Sequence, residues 1–120
     1  MPRSTLAYLE DVVRACDAIE GFLVGIDFDA YRATLVTRSA VERQLLVAGE
    51  AIGVFLRTDP RLSERISHAR RIVDFRNLLA HDYAMVNDAV VWSIATDEAP
   101  LLRSECAAVL AELDAEVEAD

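Results

Sequence analysis

Apolar residues recur at helical spacing along most of this chain, and that periodicity limits the folds open to it. Two parallel stripes, with intervals of mainly three and four, occupy the segment 41–56 and consist of Val41, Leu45, Ala48, Ile52 and Phe55, and of Leu46, Gly49, Gly53 and Leu56. A helix with two apolar faces lies in the middle of a bundle or at a dimer seam. No segment alternates apolar and polar residues as a half-buried strand does, so the pattern predicts an all-α protein.

The same spacing predicts four main helices joined by short connections. They are expected at about residues 6–23, 39–57, 62–80 and 90–117, where the last stripe ends at Val117. Pro100 is expected to kink or restart the fourth helix. Short connections favour antiparallel neighbours, so we expect an antiparallel up-down bundle forming one domain over residues 1–120.

Gly49 and Gly53 stand four residues apart inside the second predicted helix. Glycine in a helix interior costs about 1 kcal/mol relative to alanine. A close approach by another backbone would compensate for that cost, so we expect a neighbouring element to pack against both glycines. Glu50 lies between the two apolar stripes, and two roles stay open for it: pairing with an arginine across the bundle, or lining a cleft.

The charge is unevenly distributed along the sequence. The net charge is −9, which by itself argues against nucleic-acid binding, but residues 97–120 hold eight acidic side chains and one arginine. Residues 61–76 hold five arginines and two acidic side chains. A locally basic helix can bind phosphate, or it can be a solvated charged face. Arg65, Arg70 and Arg71 in this segment are therefore candidates for contacts with an RNA backbone.

Cysteine and histidine usage gives little support for a metal site. Cys16 and Cys106 both fall on apolar stripes, so we expect two buried free thiols rather than a disulfide or a metal pair. His68 and His81 are thirteen residues apart, with no cysteine nearby, which is not a zinc pattern. No apolar run approaches the roughly 20 residues of a membrane span, and the N-terminus lacks the layout of a signal peptide. We expect a soluble cytoplasmic protein without a cofactor.

One stretch, RNLLAHDY at residues 76–83, concentrates polar chemistry at the end of the third predicted helix. On a helix, Asn77 and His81 share one face, and Arg76 and Tyr83 share a neighbouring face. Arg76 and His81 are five residues apart, which is about 140° around the axis. One helix would not aim both side chains at one point, but two copies related by a two-fold axis could. The spacing therefore favours a site shared across a homodimer seam.

These side chains suit RNA cleavage that needs no metal. A base takes the proton from a ribose 2′-hydroxyl, and an acid protonates the leaving 5′-oxygen; His81 can fill either role. Arg76 would clamp the phosphate, and Asn77 would hold a phosphate oxygen or orient the histidine. From the residues alone, a structural role for a polar helix end stays open as the alternative.

The motif R-x4-H-x-Y, with an asparagine directly after the arginine, resembles the HEPN superfamily. In particular, it is similar to the HepT toxins of HepT–MntA pairs, the type VII toxin–antitoxin systems. The segments AVERQLLVAGEAIG and HDYAMVNDAVVWSI are similar to the flanks of that family's motif, so the resemblance covers roughly residues 41–102.

The resemblance implies a helical HEPN bundle that forms a homodimer and acts as a metal-independent endoribonuclease. It implies that Arg76 and His81 are the catalytic pair, with Asn77 in support. It also implies that Tyr83 is modified with AMP by an MntA-like nucleotidyltransferase antitoxin, and a bulky anionic group there would block RNA.

Two other readings stay open beside the nuclease. In the first, the chain is a non-catalytic nucleotide- or substrate-binding subunit that partners a small nucleotidyltransferase. In the second, it is a helical dimerisation module whose polar cluster has no catalytic role.

Overall fold

Helices make up nearly all of the chain. The computed structural model describes residues 4–119, with side chains up to residue 116, so the predicted packing of Val117 lies outside the described side chains. The helices are α1 (Thr5–Phe22), α2 (Phe28–Ala33), α3 (Leu35–Thr58), α4 (Ala69–His81), α5 (Asp88–Ser93) and α6 (Ala99–Ala119). Residues 4–119 contain no strand. The predicted all-α bundle with four long helices is confirmed, and α3 begins four residues earlier than expected. The expected start of the third helix near residue 62 is wrong, because Pro60–Glu64 form a separate 3-10 turn and α4 begins only at Ala69.

Side-chain caps set where several helices begin. Ser4 accepts a hydrogen bond from the Ala7 backbone N–H at 3.3 Å, and Asn87 accepts one from the Ala89 N–H at 2.8 Å. Such caps satisfy N–H groups that have no partner inside the helix. After α1 the chain turns through Gly25, whose φ of 71° lies in the left-handed region that glycine adopts without strain.

The long helix α3 lies at the centre of the packing. It contacts α1 along its length on one side and α4 on another, while α6 packs against α1. The first predicted stripe of α3 is fully buried, at Val41, Leu45, Ala48, Ile52 and Phe55. The two-faced sequence pattern of α3 therefore corresponds to its central place in the bundle.

Both cysteines are buried free thiols, as predicted. Burial raises the pKa of Cys16 and of Cys106 to about 12, because the thiolate loses its hydration in the core. Neither thiol is suited to nucleophilic or metal chemistry at neutral pH.

The predicted interruption near Pro100 takes the form of a widened helical turn. Residues Ile94–Glu98 form this turn between α5 and α6, and the Ala99 N–H donates to the Ile94 carbonyl. Proline has no N–H to continue the regular ladder, and a one-residue shift in hydrogen bonding accommodates that loss. The turn carries the buried Glu98, whose carboxylate lies 3.1 Å from Arg71.

Only one of the two α3 glycines supports the expected close approach. A Cβ at Gly49 would collide with the Cβ of Arg76 and would lie 3.2 Å from the Ile72 carbonyl oxygen on α4. A Cβ at Gly53 would meet nothing nearer than 3.6 Å, which is ordinary van der Waals contact. Gly49 thus brings α4 against α3 at the level of Arg76. Within the described residues, no helix combines the length and apolar character needed to cross a bilayer.

Candidate functional site

Arg76 lies at the α3–α4 interface with its guanidinium group held on two sides. Its Nη2 donates to Oε2 of Glu50 at 3.0 Å, and its Nη1 donates to Oδ1 of Asn77 at 3.1 Å. The Arg76 side chain is only 26% exposed, and Gly49 provides the space for its stem. Two of the predicted site residues, Arg76 and Asn77, are therefore brought together, and a guanidinium fixed in this way is pre-oriented for an anion.

A groove of about 490 Å³ runs beside this arginine, between α1, α3 and α4. Arg43, Glu50 and Arg76 all line it. Glu50 therefore fills both roles that its sequence position left open, since it pairs with an arginine and lines a cleft. A smaller cavity of about 100 Å³ also borders Arg76, and Arg57 and Asn77 line that one.

Arg43 and Arg57 are site candidates that the sequence reasoning missed. Neither makes an ion pair in the part of the chain that the structure describes, unlike Arg76, which pairs with Glu50. A signal was available, because Arg43, Glu50 and Arg57 are seven residues apart and so share one face of a helix. Arg43, Arg57 and Arg76 thus place cationic groups along the two cavities.

His81 is the last residue of α4, and its side chain is exposed. The expected regular helix through Arg76 and His81 is present, so the two side chains diverge by about 140° and are offset by about 7.5 Å along the axis. Across residues 4–116, no hydrogen bond or ion pair engages the imidazole. One copy of the chain therefore does not bring Arg76 and His81 together.

Tyr83 begins a short 3-10 turn, Tyr83–Met85, one residue after α4 ends at His81. The predicted helical face shared by Arg76 and Tyr83 is therefore wrong, because the backbone at Asp82 is not helical. Its side chain is 60% exposed, but its hydroxyl turns inward and donates to Oε1 of Glu42 at 2.8 Å. This hydrogen bond to a carboxylate raises the pKa of Tyr83 above its ordinary value. A phenol is protonated at neutral pH in any case, and this one therefore ionises even less readily than an ordinary tyrosine.

Glu42 is a buried acidic residue that the sequence reasoning did not single out. Only 6% of it is exposed. It stands four residues before Leu46, in register with the second apolar stripe of α3. A carboxylate on an apolar stripe is unusual, and this position was the sequence feature that could have indicated a buried, functional glutamate. Buried carboxylates need partners, and Tyr83 is the hydrogen-bond partner of Glu42 among the described residues.

Tyr31 of α2 lies in the same neighbourhood. Its hydroxyl is buried and has no hydrogen-bond partner among the described residues, and its ring lies 5.4 Å from that of Trp92. Burial first, and then the charge of Glu42, raise the pKa of Tyr31. Arg38 and Asp88 also act electrostatically on both Tyr31 and Tyr83.

The three arginines predicted to contact RNA are all engaged with acidic side chains. Arg65 makes two hydrogen bonds of 2.7 Å to the carboxylate of Glu112 on α6. Arg71 lies 3.1 Å from Glu98, and Arg70 lies 3.4 Å from Asp74. Part of the acidic C-terminal segment thus neutralises the basic segment. The RNA contacts of these arginines stay a prediction.

The residues that the structure describes contain no group of three or more His, Cys, Asp or Glu side chains that could hold a metal ion. The expectation that the chemistry needs no metal stays a prediction.

The helical bundle carries Arg76, Asn77 and His81 in the last turns of α4, and Tyr83 just beyond that helix. These features together define a HEPN-like protein. A family model described as "Ribonuclease HepT-like" matches residues 12–109, and the chain belongs to this HepT-like family. The resemblance found in the sequence is confirmed.

Curated relatives span nearly the whole chain. A Thermococcus cleftensis protein named "Probable ribonuclease HepT" is 32% identical over 105 residues, which cover 88% of this chain and 94% of the relative. A Methanocaldococcus jannaschii protein whose name describes it as an RNase is 26% identical over 103 residues, covering 86% of this chain and 94% of the relative. No solved structure matches the chain at a significant level.

Proposed function

We propose that this protein is a metal-independent endoribonuclease toxin of a type VII toxin–antitoxin system. RNA is the proposed substrate, cleaved where two copies of the R-x4-H-x-Y motif meet in a cytoplasmic homodimer. The observation that carries the proposal is the Arg76 guanidinium, fixed by Glu50 and Asn77 on the helix that ends at an exposed His81. Membership in the HepT-like family and the names of the relatives support the same activity.

The proposed reaction is an internal transesterification of RNA. A general base removes the proton of a ribose 2′-hydroxyl, whose oxygen then forms a bond to the adjacent phosphorus. The bond from that phosphorus to the 5′-oxygen breaks, and the leaving oxygen takes a proton from a general acid. In each of the two shared sites of a dimer, the His81 imidazole contributed by the partner can serve as the base or as the acid, with solvent in the other role. Arg76 would stabilise the added negative charge on the phosphate, and Asn77 would hold one of its oxygens.

The divergence of Arg76 and His81 supports a shared site. Their side chains point about 140° apart on α4, so a phosphate held by Arg76 would be out of reach of His81 on the same chain. A two-fold axis beside α4 would place the partner's histidine opposite Arg76. The proposed unit of activity is therefore the homodimer.

Tyr83 is the proposed control point of the nuclease. Its exposed ring lies two residues beyond His81, where a transferred AMP would add negative charge and bulk at the end of α4 that carries the histidine. We propose that an MntA-like nucleotidyltransferase antitoxin makes this modification and thereby stops cleavage.

The test is RNA cleavage by purified protein in the presence of a chelator. Wild type is expected to cut, and Arg76→Ala and His81→Ala are expected to lose at least about 100-fold in rate. His68→Ala and Arg14→Ala, which change the same residue types at exposed positions outside the motif, should retain activity. If wild type binds RNA or nucleotide but never cuts it, the protein is a binding subunit for a nucleotidyltransferase instead.

The proposed switch has its own test. After co-expression with a nucleotidyltransferase encoded beside its gene, the peptide containing Tyr83 should gain the mass of one or more AMP groups. A Tyr83→Phe protein should gain none and should stay active. Repeated absence of the mass shift with an active transferase would remove the switch but leave the nuclease proposal standing.

A further inference from the structure

Glu42 is the one described carboxylate that touches the hydroxyl of Tyr83, and its position is unusual for a surface hydrogen bond. The tyrosine ring is 60% exposed, whereas the glutamate is 6% exposed. The hydroxyl lies 2.8 Å from one carboxylate oxygen and 3.4 Å from the other. Because the hydroxyl donates its proton to this carboxylate, its two lone pairs remain for another bond.

A protonated phenol is a weak nucleophile, so modification of Tyr83 requires a route for its proton. The hydrogen bond to Glu42 raises the pKa of Tyr83, so little phenolate exists at neutral pH. A neighbouring base solves this problem by taking the proton as the new bond forms. The Glu42 carboxylate, which disfavours the phenolate of Tyr83, already accepts a hydrogen bond from the same hydroxyl and is therefore in place to take its proton.

We propose that Glu42 is the proton acceptor that activates Tyr83 for nucleotidyl transfer. The inference rests on the proposed function, which supplies ATP and a nucleotidyltransferase. In the step, a bond forms between the Tyr83 oxygen and the α-phosphorus of ATP. The bond from that phosphorus to the oxygen bridging to the β-phosphate breaks, pyrophosphate leaves with the electron pair, and the phenolic proton moves to Glu42.

The groups around this pair come from four elements. Arg38 lies one turn before Glu42 on α3, Tyr31 approaches from α2, Asp88 belongs to α5, and Tyr83 itself starts the turn after α4. Arg38 favours the ionised tyrosines, and Asp88 opposes them. None of these neighbours hydrogen-bonds the Tyr83 hydroxyl, so Glu42 is the acceptor in reach among the described residues.

Burial of Glu42 makes it more specific than a solvent base. Water has little access to a side chain that is 6% exposed, so the proton has one defined destination. The acceptor also fixes the direction of the hydroxyl, which matters for attack in line with the leaving group. This places part of the machinery for the modification in the modified protein itself.

The decisive variant is Glu42→Gln, whose amide oxygen can still accept the hydrogen bond but cannot take the proton. Glu98→Gln is the matched control, because it makes the same change at another buried glutamate that hydrogen-bonds no tyrosine. Both proteins are first compared with wild type by thermal unfolding, so that rates are read only on folded protein.

The first measurement is the rate of AMP transfer to Tyr83 by the transferase, followed by mass spectrometry across a pH series. At about pH 7 we expect Glu42→Gln to be roughly 100-fold slower than wild type, and Glu98→Gln to be unchanged. The ratio of wild type to Glu42→Gln should shrink as the pH rises toward the phenol range, because phenolate then forms without a base. The transferase's own pH dependence cancels in this ratio. A ratio near one at every pH would overturn the inference while leaving the switch intact.

The second measurement needs no transferase. N-Acetylimidazole transfers its acetyl group to the phenol and releases imidazole, and the acetylation rate of the Tyr83 peptide reports the activation of its hydroxyl. The same Glu42 dependence is expected, strongest near pH 7 and smaller as the pH rises toward the phenol range. If Tyr83 accepts no AMP but shows this dependence, the proposed switch and its nucleotidyl transfer fail, and only the ability of Glu42 to accept the proton of Tyr83 stands. If Glu42→Gln is acetylated as fast as wild type throughout, the role of Glu42 is wrong.

Discussion

Gly49 and Arg76 face each other across the α3–α4 interface at a separation that leaves no room for a methyl group on residue 49. A Cβ there would collide with the Cβ of Arg76 and lie 2.9 Å from its Cγ. The residue that the proposal places at the phosphate is thus positioned by a glycine one helix away. Packing and the candidate site are coupled at this point.

Gly49→Ala should therefore be destabilising, although alanine favours helix. Overpacking of a tight interface costs about 1–3 kcal/mol, and the gain from helix propensity is about 1 kcal/mol. The contact at Gly49 is severe, so we expect a cost in the upper part of that range, larger than the gain. The displaced arginine should also lower the rate of RNA cleavage. Urea unfolding and a cleavage assay measure the two effects.

Gly53→Ala is the matched control for that change. Its added Cβ would make only ordinary contacts at 3.6 Å and 3.9 Å, so the helix propensity should dominate and raise the free energy of unfolding by up to about 1 kcal/mol. Equal effects of the two substitutions would contradict the assigned role of Gly49.

Arg43 and Arg57 should contribute to RNA affinity more than an exposed arginine elsewhere. Both line cavities beside Arg76, and neither is held by an acidic partner among the described residues. In a His81→Ala background, which prevents cleavage, replacing either with alanine should weaken binding of a single-stranded RNA. The slope of log K against log salt should fall by about 0.7 for each lost phosphate contact.

Arg14→Ala provides the comparison for that binding experiment. Arg14 is exposed on α1, lies 3.9 Å from Glu10 and lines neither cavity. Its loss should leave the RNA affinity and the salt slope nearly unchanged. An effect as large as that of Arg43→Ala would mean that overall charge, and not the groove, determines binding.

Stability should decline at alkaline pH because of the two buried thiols. Burial raises the pKa of Cys16 and Cys106 from 9.0 to about 12, so the native state keeps protons that the unfolded chain releases between these values. The contribution is fully present below about pH 9 and is lost as the pH rises toward 12. Each thiol should add up to about 1.4 kcal/mol per pH unit to the downward slope of the free energy of unfolding.

Urea unfolding at a series of pH values, with wild type beside a Cys16→Ala/Cys106→Ala double variant, measures that slope. The variant will be less stable overall because of the lost packing, so only the pH dependence is compared. Other groups with raised pKa values, such as Tyr31, are common to both proteins and cancel. Parallel curves above pH 9 would contradict the thiol assignment.

Local features of the fold could be read from the sequence because helical periodicity determines them. The two stripes of α3 predicted a central helix, and the spacing within residues 76–83 predicted the divergence of Arg76 and His81. Two further features could have been predicted from the sequence but were missed. They are the register of Glu42 with an apolar stripe and the helical face shared by Arg43 and Arg57.

Other features depend on packing between distant segments and could not be read in this way. Arg65 pairs with Glu112, 47 residues away, only because α6 packs back across the bundle. A run of arginines therefore looked free to bind RNA although acidic partners engage it in the fold. Likewise, only the packing distinguishes Gly49 from Gly53, since both carry the same sequence signal.

The most direct test of the central claim, a site shared between two copies, is complementation by mixing subunits. Arg76→Ala and His81→Ala homodimers should each be inactive on RNA. After exchange into heterodimers, verified with two different affinity tags, one of the two composite sites would regain an intact arginine and an intact histidine. Random exchange of equal amounts makes about half of the dimers heterodimers, and each heterodimer has one intact site of two, so activity should return to about a quarter of the wild-type level. Activity in either parent homodimer, or none in a verified mixture, would contradict the shared site.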